Sequence, residues 1–200
     1  MSKANNFQKM RELSFYQQAA VAIVLLERML PNYQLFAEVS SFGDAALPRH
    51  TLDLVWEWLQ VRRAKINFER LQDELELITP EVSHFDMFGV YPAVDAMIAL
   101  DSMLNGIREQ DSMEFINVAK ISQASVARLI EHESADLDIT TEAELKKVVR
   151  DHELMAYEMD CLAELIEICS AIQSFDREQI QQLKAWVKEQ GVTNLGMELN

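Results

Sequence analysis

The sequence predicts an all-α fold, a compact antiparallel bundle of about seven or eight helices. Nearly half of the 200 residues are apolar (49%), which is enough material for a core. Glycine and proline are scarce, with 5 and 4 residues, and they lie where helices should begin or end. No stretch of convincing length shows the apolar–polar alternation of a half-buried strand. Short connections between consecutive helices favour an antiparallel bundle.

Capping residues and breaks divide the chain into eight helical segments. Ser14 is expected to cap the first, Pro31 to stop it and start the second, and Thr141 with Glu144 to form a capping box for the seventh. The expected helices cover residues 14–30, 31–40, 48–61, 66–79, 92–106, 112–133, 141–169 and 177–191. A basic corner at 62–65 and an irregular stretch at 81–90 separate some of them, and the tail 192–200 stays unassigned. We expect one domain over residues 1–200, and the polar stretch 134–140 is where it would divide.

The seventh predicted helix has the most regular pattern. Its apolar positions alternate three and four residues apart, which keeps one seam on one side of the helix. They are Leu145, Val148, His152, Met155, Met159, Leu162, Ile166 and Cys169. A long helix packed along the bundle explains this seam, with His152 as a satisfied core residue. The same seam suits a helix that pairs with a second subunit, which leaves a homodimer open.

The net charge is −15, from 33 acidic and 18 basic residues. Nucleic-acid phosphates and anionic membranes repel such a surface, so we expect neither as a direct partner. Residues 131–178 hold 14 acids and 4 bases, a net charge of −10, and the rest of the chain holds 19 and 14, a net charge of −5. This acidic region favours a basic protein as the partner.

The two cysteines, Cys161 and Cys169, are placed on one helix. Eight residues separate them, roughly 12 Å of rise, which is too far for a disulfide and predicts a reducing compartment. The N-terminus lacks the pattern of a signal peptide. The longest apolar run, residues 19–26, has eight residues, whereas a membrane span needs about 20. We therefore expect a cytoplasmic protein.

The helix 48–61 carries His50, Asp53 and Glu57 on one face, since three and four residues separate them. An imidazole and carboxylates at this spacing can hold a divalent cation or move a proton. The same stripe is also explained as the only solvated face of an apolar helix, with ion pairs to Arg49 or Arg62, or as a buried structural network.

Two carboxylates interrupt the apolar helix that begins near Pro92. We place Asp95 in its first turn, where free N–H groups and the helix dipole stabilise an acid. Asp101 has no such position, so we expect it to pair with an arginine such as Arg28.

Glu27 and Arg28 end the apolar first helix, and either can face the interior. Together with the carboxylates above they predict one interhelical polar cluster: Glu27, Arg28, Asp53, Glu57 and Asp95, with Trp56 and Tyr91 as walls of a pocket. The cluster is either a buried network that gives the fold its specificity, or a site for a small ligand.

Motifs of established chemistry are missing from the sequence. It has no glycine-rich phosphate loop, G-x-S-x-G, H-E-x-x-H or C-x-x-C. A di-iron bundle needs two Glu-x-x-His pairs, and the single match, Glu81 to His84, lies in a loop-like stretch. We therefore expect no cofactor and no metal.

Several short motifs of the chain belong to one recognisable pattern. They are Glu27-Arg28-Met29-Leu30-Pro31-Asn32-Tyr33, Phe42-Gly43-Asp44, Leu52-Asp53-Leu54-Val55-Trp56-Glu57, Ala64-Lys65-Ile66-Asn67-Phe68, Phe85-Asp86, Gly89-Val90-Tyr91-Pro92-Ala93 with Asp95-Ala96, and Asn194-Leu195-Gly196. Together they resemble the YjaG-like family of uncharacterised bacterial proteins, a domain of unknown function. The resemblance implies a helical, cytoplasmic, bacterial protein and no particular activity. Its motifs contain the five residues of the predicted cluster, whereas His50 is not part of the pattern, which disfavours a metal at His50.

The sequence thus favours a non-enzymatic interaction or regulatory protein with an acidic face. The alternative is a small-ligand-binding protein or an enzyme that uses the carboxylate cluster. The two hypotheses differ in one structural feature: closed ion pairs support the first, and an open pocket lined by the cluster supports the second.

Overall fold

The computed structural model describes residues 5–61, 64–135 and 139–199 and shows an all-helical protein. Within these ranges the chain forms nine α-helices: α1 (Asn6–Glu12), α2 (Phe15–Ser40), α3 (Ala46–Gln60), α4 (Phe68–Glu76), α5 (Val90–Glu109), α6 (Ser112–Glu133), α7 (Glu142–Asp151), α8 (Glu153–Ala171) and α9 (Arg177–Gln190). A 3-10 helix, Val82–His84, precedes α5. The predicted all-α class is confirmed, but the predicted number of helices is too low.

The long helix α2 forms the centre of the bundle. Residues 19–26 are all apolar and all buried. A helix that is apolar all round must be covered on every side. Accordingly, α2 packs against α3, α5, α6, α8 and α9. The bundle is compact, but it is not the simple antiparallel array that short connections predicted, because α2 also contacts helices distant in sequence.

Pro31 does not end a helix, contrary to the prediction. Helix α2 runs unbroken through it to Ser40. A proline inside a helix removes one backbone hydrogen bond and costs about 3 kcal/mol or more. The buried side chains of Leu30, Tyr33 and Phe36 on either side of Pro31 offset this cost. Residues 31–40 therefore continue the faces of α2 instead of starting a new direction.

The single long helix predicted from the heptad seam is two helices, α7 and α8. The backbone is extended at His152 (φ −76°, ψ 139°), and its Nδ1 accepts a hydrogen bond from the Leu154 N–H at 3.1 Å. His152 is therefore an N-cap and not a core residue. Met159, also assigned to the seam, is 45% exposed, because the buried face of α8 passes through Glu158 instead.

Other helix starts also differ from the prediction, among them those of α1 and α5. Helix α1 was not expected, and the Asn5 side chain caps it by accepting a hydrogen bond from the Phe7 N–H. Helix α5 begins at Val90, two residues before Pro92. Asp95 therefore lies outside its first turn, and the helix dipole does not explain how this carboxylate is stabilised.

Four predicted helix starts are confirmed, and Ser14, the N-cap of α2, is one of them. The Asp111 side chain caps α6, Thr141 and Glu144 form a capping box at α7, and Asp176 accepts hydrogen bonds from two backbone N–H groups at the start of α9. Local side-chain chemistry sets these ends, which is why the sequence revealed them.

The tail after α9 folds back onto the helices. Gly191 ends α9 in the left-handed region (φ 68°), which glycine adopts without strain. The Thr193 N–H donates to the Met197 carbonyl and the Leu199 N–H to the Gly191 carbonyl, both at 2.8 Å. Thr193 and Asn194 are buried, so the tail belongs to the core.

The remaining expectations concern single features. Cys161 and Cys169 are free and buried in α8, as predicted. Across 5–61, 64–135 and 139–199, no helix is long and apolar enough to cross a membrane. Residues 62–63 of the basic corner, and with them the Arg62 alternative, residues 136–138 of the polar connection, and residue 200 of the tail lie outside the described residues.

Candidate functional site

A fully buried ion pair joins α2 to α8. Arg28 is 0% exposed and its Nη1 donates to Glu158 Oε2 at 2.6 Å. The other oxygen of the Glu158 carboxylate accepts the hydroxyl of Ser122, on α6, at 2.5 Å. Each oxygen of the carboxylate therefore has a donor, which a charge in the core requires.

The C-terminal tail completes this group. The Asn194 side-chain amide donates to Ser122 Oγ at 3.2 Å, and the Asn32 amide donates to Asn194 Oδ1 at 2.9 Å. The Asn194 N–H donates to the Arg28 carbonyl at 3.2 Å, while Arg28 Nη2 donates to the Thr193 carbonyl at 3.4 Å. We call the five connected side chains the Arg28 network: Arg28, Asn32, Ser122, Glu158 and Asn194.

Two atoms of the Arg28 network lack a hydrogen-bond partner among the described residues. They are Arg28 Nε and Asn32 Oδ1, and both are buried. An unpaired polar atom in the core is costly, so such atoms often lie where a ligand or water binds.

Burial dominates the electrostatics around the Arg28 network. It raises the pKa of Glu158, and Arg28 and Ser122 oppose this shift. The Tyr157 ring centroid lies 5.5 Å from the guanidinium carbon of Arg28, and the Tyr157 hydroxyl donates to Gln190 Oε1 at 2.6 Å. Burial raises the pKa of Tyr157 to about 12, and a hydrogen bond with Cys161 adds to the shift.

Glu27 precedes Arg28 in the chain but faces α3. Arg49 donates to both oxygens of the Glu27 carboxylate, at 2.6 and 2.9 Å, and Trp56 Nε1 donates to it at 2.6 Å. Arg49 also donates to Asp53 at 2.8 Å. The Glu27 side chain is 15% exposed, so this second group is a closed ion pair near the surface.

Asp95 belongs to a third group, between α5 and α6. Arg128 Nη1 donates to its two oxygens at 3.2 and 3.1 Å. The guanidinium carbon of Arg128 lies 5.3 Å from the centroid of the Tyr91 ring. Burial raises the pKa of Asp95, and Arg128 and Ser125 oppose this shift. Arg128 therefore stabilises the carboxylate that we had assigned to the helix dipole.

The five residues of the predicted cluster therefore lie in separate places. Residues next to each other on a helix project about 100° apart, which sends Glu27 and Arg28 to different neighbours. Glu57 is exposed, and no hydrogen bond or ion pair of its side chain occurs within the described ranges. Trp56 belongs to the Glu27 group and Tyr91 to the Asp95 group, so they do not form one pocket wall.

Two further predicted arrangements have clear outcomes. The expected pair of Arg28 and Asp101 is wrong, because Asp101 accepts hydrogen bonds from Gln72 and Asn105 instead. His50 is exposed on α3, and the predicted ion pair of Arg49 with Asp53 is confirmed. In the part of the chain that the structure describes, no three His, Cys, Asp or Glu side chains are grouped so that they could hold a metal.

Sequence reasoning missed four members of the Arg28 network. Glu158 had a signal: it lies three residues after Met155 and four before Leu162, on the buried face of α8. Asn32 and Asn194 occur in motifs that carried the family resemblance. Ser122 gave no signal, since a buried serine looks like any other in the sequence.

An apolar groove of about 460 Å³ lies next to the Arg28 network. It is bounded by the second half of α2, the start of α5, the end of α6 and the tail. Its lining residues are Asn32, Leu35, Phe36, Val39, Met87, Phe88, Gly89, Pro92, Leu129, Glu133, Leu195 and Met197. Asn32 is shared by the groove and the Arg28 network.

These features define an all-helical protein in which the carboxylates of Glu27, Asp95 and Glu158 are paired with arginines of the same chain. The family model described as "Protein of unknown function (DUF416)" matches residues 5–198, and the chain belongs to this family. The predicted resemblance is thereby confirmed.

Relatives from bacteria agree with this assignment. The chain is 33% identical over 190 residues to "Uncharacterized protein YjaG" of Escherichia coli (strain K12), with 94% of each chain covered. It is 31% identical over 194 residues to an "Uncharacterized protein" of Haemophilus influenzae, with 96% of each covered. The crystal structure of a DUF416 family protein from Shewanella baltica OS155 is similar, with a TM-score of 0.90 and 36% identity, and covers 98% of this chain and 100% of its own.

Proposed function

We propose that this chain is a non-enzymatic interaction or regulatory protein of the cytoplasm, folded as one domain, which binds a basic partner protein. The observation that carries this proposal is that three carboxylates, those of Glu27, Asp95 and Glu158, are closed by ion pairs. Glu27, Asp95 and Glu158 each accept hydrogen bonds from an arginine of the same chain. Groups held in this way support the fold and are not presented to a substrate.

The alternative, a ligand site or enzyme built on the carboxylate cluster, is less well supported. It needs the cluster and the rings of Trp56 and Tyr91 around one opening. Trp56 instead lies at the α2–α3 contact and Tyr91 at the α5–α6 contact, Arg28 faces α8, and Trp56 is only 2% exposed.

Helix α8 presents unpaired acids that suit a basic partner. Glu153, Asp160, Glu164 and Glu167 repeat along one face and are all exposed. No ion pair of theirs occurs among the described residues. They lie within the region 131–178, whose net charge is −10 from 14 acids and 4 bases. Such a face attracts and orients a positively charged protein.

A salt-dependent capture experiment tests the proposal. The tagged protein is isolated from its own host at low salt, and bound proteins are identified by mass spectrometry. We expect a basic protein in stoichiometric amount that dissociates as salt rises, because exposed charges are screened. The variant E164K/E167K should lose it, whereas E76K, a change on α4, should keep it. A partner that stays bound at high salt, or that E164K/E167K retains, would contradict the proposal.

A second copy of the chain is the other partner to consider. Sedimentation of the purified protein over a range of concentrations measures this directly. A stable dimer that persists at high salt would replace the basic partner as the explanation.

A further inference from the structure

The apolar groove is lined in part by large apolar side chains that stay exposed to solvent. Leu35, Val39 and Met87 are 47%, 64% and 37% exposed, and all three line it. Contiguous exposed apolar surface with a polar rim is typical of an interaction site. The groove therefore has the character of a docking surface.

The spacing of the groove residues on α2 suits a helical partner. Asn32, Leu35, Phe36 and Val39 follow the i, i+3, i+4, i+7 pattern, which puts them in one stripe of about 10 Å at 1.5 Å per residue. An amphipathic helix binds such a groove through apolar anchors repeated at the same spacing.

The charges around the groove select a basic partner. None of its lining residues is Lys or Arg, and Glu133 lies on its rim. A neighbouring cleft shares Leu35 and Met197 with the groove and adds the carboxylates of Glu38 and Glu198. Val39 and Glu133 also lie in the last turns of α2 and α6, and helix C-termini carry partial negative charge.

Asn32 connects the groove to the Arg28 network. It lines the groove, and its side-chain amide donates to Asn194 Oδ1 at 2.9 Å. A ligand in the groove is therefore expected to change the surroundings of the Asn32 side chain.

We propose that the apolar groove binds an amphipathic helix of a basic partner protein. The apolar face of that helix contacts Leu35, Val39 and Met87, and its Lys and Arg side chains meet Glu38, Glu133 and Glu198. This proposal rests on the proposed function and adds a second contact surface, the groove, to the acidic face of α8.

Defined peptides test the groove without knowledge of the natural partner. The probe is a fluorescent Leu/Lys peptide of about 14 residues, four helical turns, with leucines at the i, i+3, i+4, i+7 spacing. A Leu/Glu peptide of the same pattern and a scrambled Leu/Lys peptide are the controls. Fluorescence anisotropy measures binding to the whole protein at several salt concentrations.

We expect the patterned Leu/Lys peptide to bind best and to weaken as salt rises. V39D, which puts a carboxylate among the apolar contacts, should weaken binding at least about tenfold, equivalent to 1.4 kcal/mol. The matched control is L77D, because Leu77 is 81% exposed and lies outside the groove; it should change binding less than about twofold. In a ¹H–¹⁵N spectrum, the side-chain amide signals of Asn32 should shift when the peptide binds.

Other outcomes would overturn the groove proposal in distinguishable ways. If V39D binds normally while E164K/E167K does not, the basic partner uses α8 and the proposed function stands without the groove. If the scrambled peptide binds equally well, the groove does not recognise the helical spacing of the leucines. If the free protein is a dimer that V39D dissociates, the occupant is a second copy. If neither basic peptide binds, the groove proposal fails, and the capture experiment decides the proposed function separately. Asn32 amide signals that do not move when the peptide binds would place the peptide outside the groove and overturn the groove proposal.

Discussion

Glu27 and Arg28 are neighbours in the chain, yet their ion pairs differ in nearly every physical respect. Arg28 is fully buried and pairs with Glu158, 130 residues away, with Ser122 and the tail around it. Glu27 pairs with Arg49, only 22 residues away, and both side chains keep access to solvent. The Arg28–Glu158 pair joins distant parts of the chain, and the Glu27–Arg49 pair holds α3 against α2.

The two ion pairs show where the charge of a side chain matters for stability. At the Arg28 network, removal of one partner leaves a charge that water cannot reach, and that is far more costly than an exposed unpaired charge. At the Glu27 group, water can replace a lost partner in part. Substitutions of Arg or Glu should therefore change the free energy of unfolding much more at the Arg28 network than at the Glu27 group.

The largest effect is expected from R28M. It leaves the Glu158 carboxylate buried without a cation, and a broken buried pair costs about 3–5 kcal/mol. At about 2–4 °C per kcal/mol for a chain of this size, the midpoint of thermal unfolding should fall by roughly 10 °C. Circular dichroism during heating measures it.

The double variant R28M/E158M is the control for R28M. Burial raises the pKa of Glu158, which indicates that desolvation outweighs what the pair returns. Apolar replacement of both partners should therefore recover most of the stability lost in R28M. If R28M unfolds at the wild-type temperature, or if the double variant is no better than R28M, the network is not the buried ion pair described here.

An intermediate effect is expected from E27A. It removes the acceptor of Arg49 and of Trp56 Nε1, and a partly buried donor left unpaired costs about 1–3 kcal/mol. Asp53 bonds the same Arg49, but its side chain is 55% exposed, so D53A should cost less than about 1 kcal/mol. Urea unfolding of the two variants measures the difference. Equal losses in E27A and D53A would show that burial does not separate the two contacts.

The smallest effect is expected from Y157F, and it should depend on pH. The hydrogen bond from Tyr157 to Gln190 contributes about 1 kcal/mol. Because burial raises the pKa of Tyr157 from 10.0 to about 12, the unfolded chain loses this proton at a lower pH than the folded chain. The contribution is therefore complete below pH 10 and is lost as the pH rises from 10 to 12.

Thermal unfolding of wild type and Y157F between pH 8 and pH 12 checks this window. The advantage of the wild type should shrink as the pH rises through it. Y91F controls for the loss of a hydroxyl, because the Tyr91 ring is 38% exposed. An advantage that stays constant up to pH 12 would mean that Tyr157 ionises alike in the folded and unfolded chains.

Much of the fold could be predicted because it depends on local chemistry. The caps at Asp111, Thr141 and Asp176 act within one helical turn, and each is visible in the sequence. The break at His152 was missed because heptad spacing continues across it. The continuity of α2 at Pro31 was missed for the opposite reason: the packing that offsets the proline comes from helices elsewhere in the chain.

The candidate site was less predictable than the fold. Periodicity correctly marked Glu27, Arg28, Asp53 and Asp95 as polar side chains that need partners. It named Arg49 for Asp53, one turn away, but not the partners of Arg28 and Asp95, because Glu158 and Arg128 come from other helices. No sequence pattern indicated the apolar groove, since an apolar stripe such as Leu35 and Val39 ordinarily predicts burial.

By itself, the sequence determined the all-α class, the acidic character, the free cysteines and the family, because composition, local capping and motifs are properties of short stretches of chain. Only the tertiary structure decided that Glu27 and Arg28 contact different helices, that the tail enters the core, and that a stripe of apolar residues on α2 stays exposed. The physical reason is that a buried charge or an exposed apolar face is defined by what packs against it, and those partners are distant in sequence.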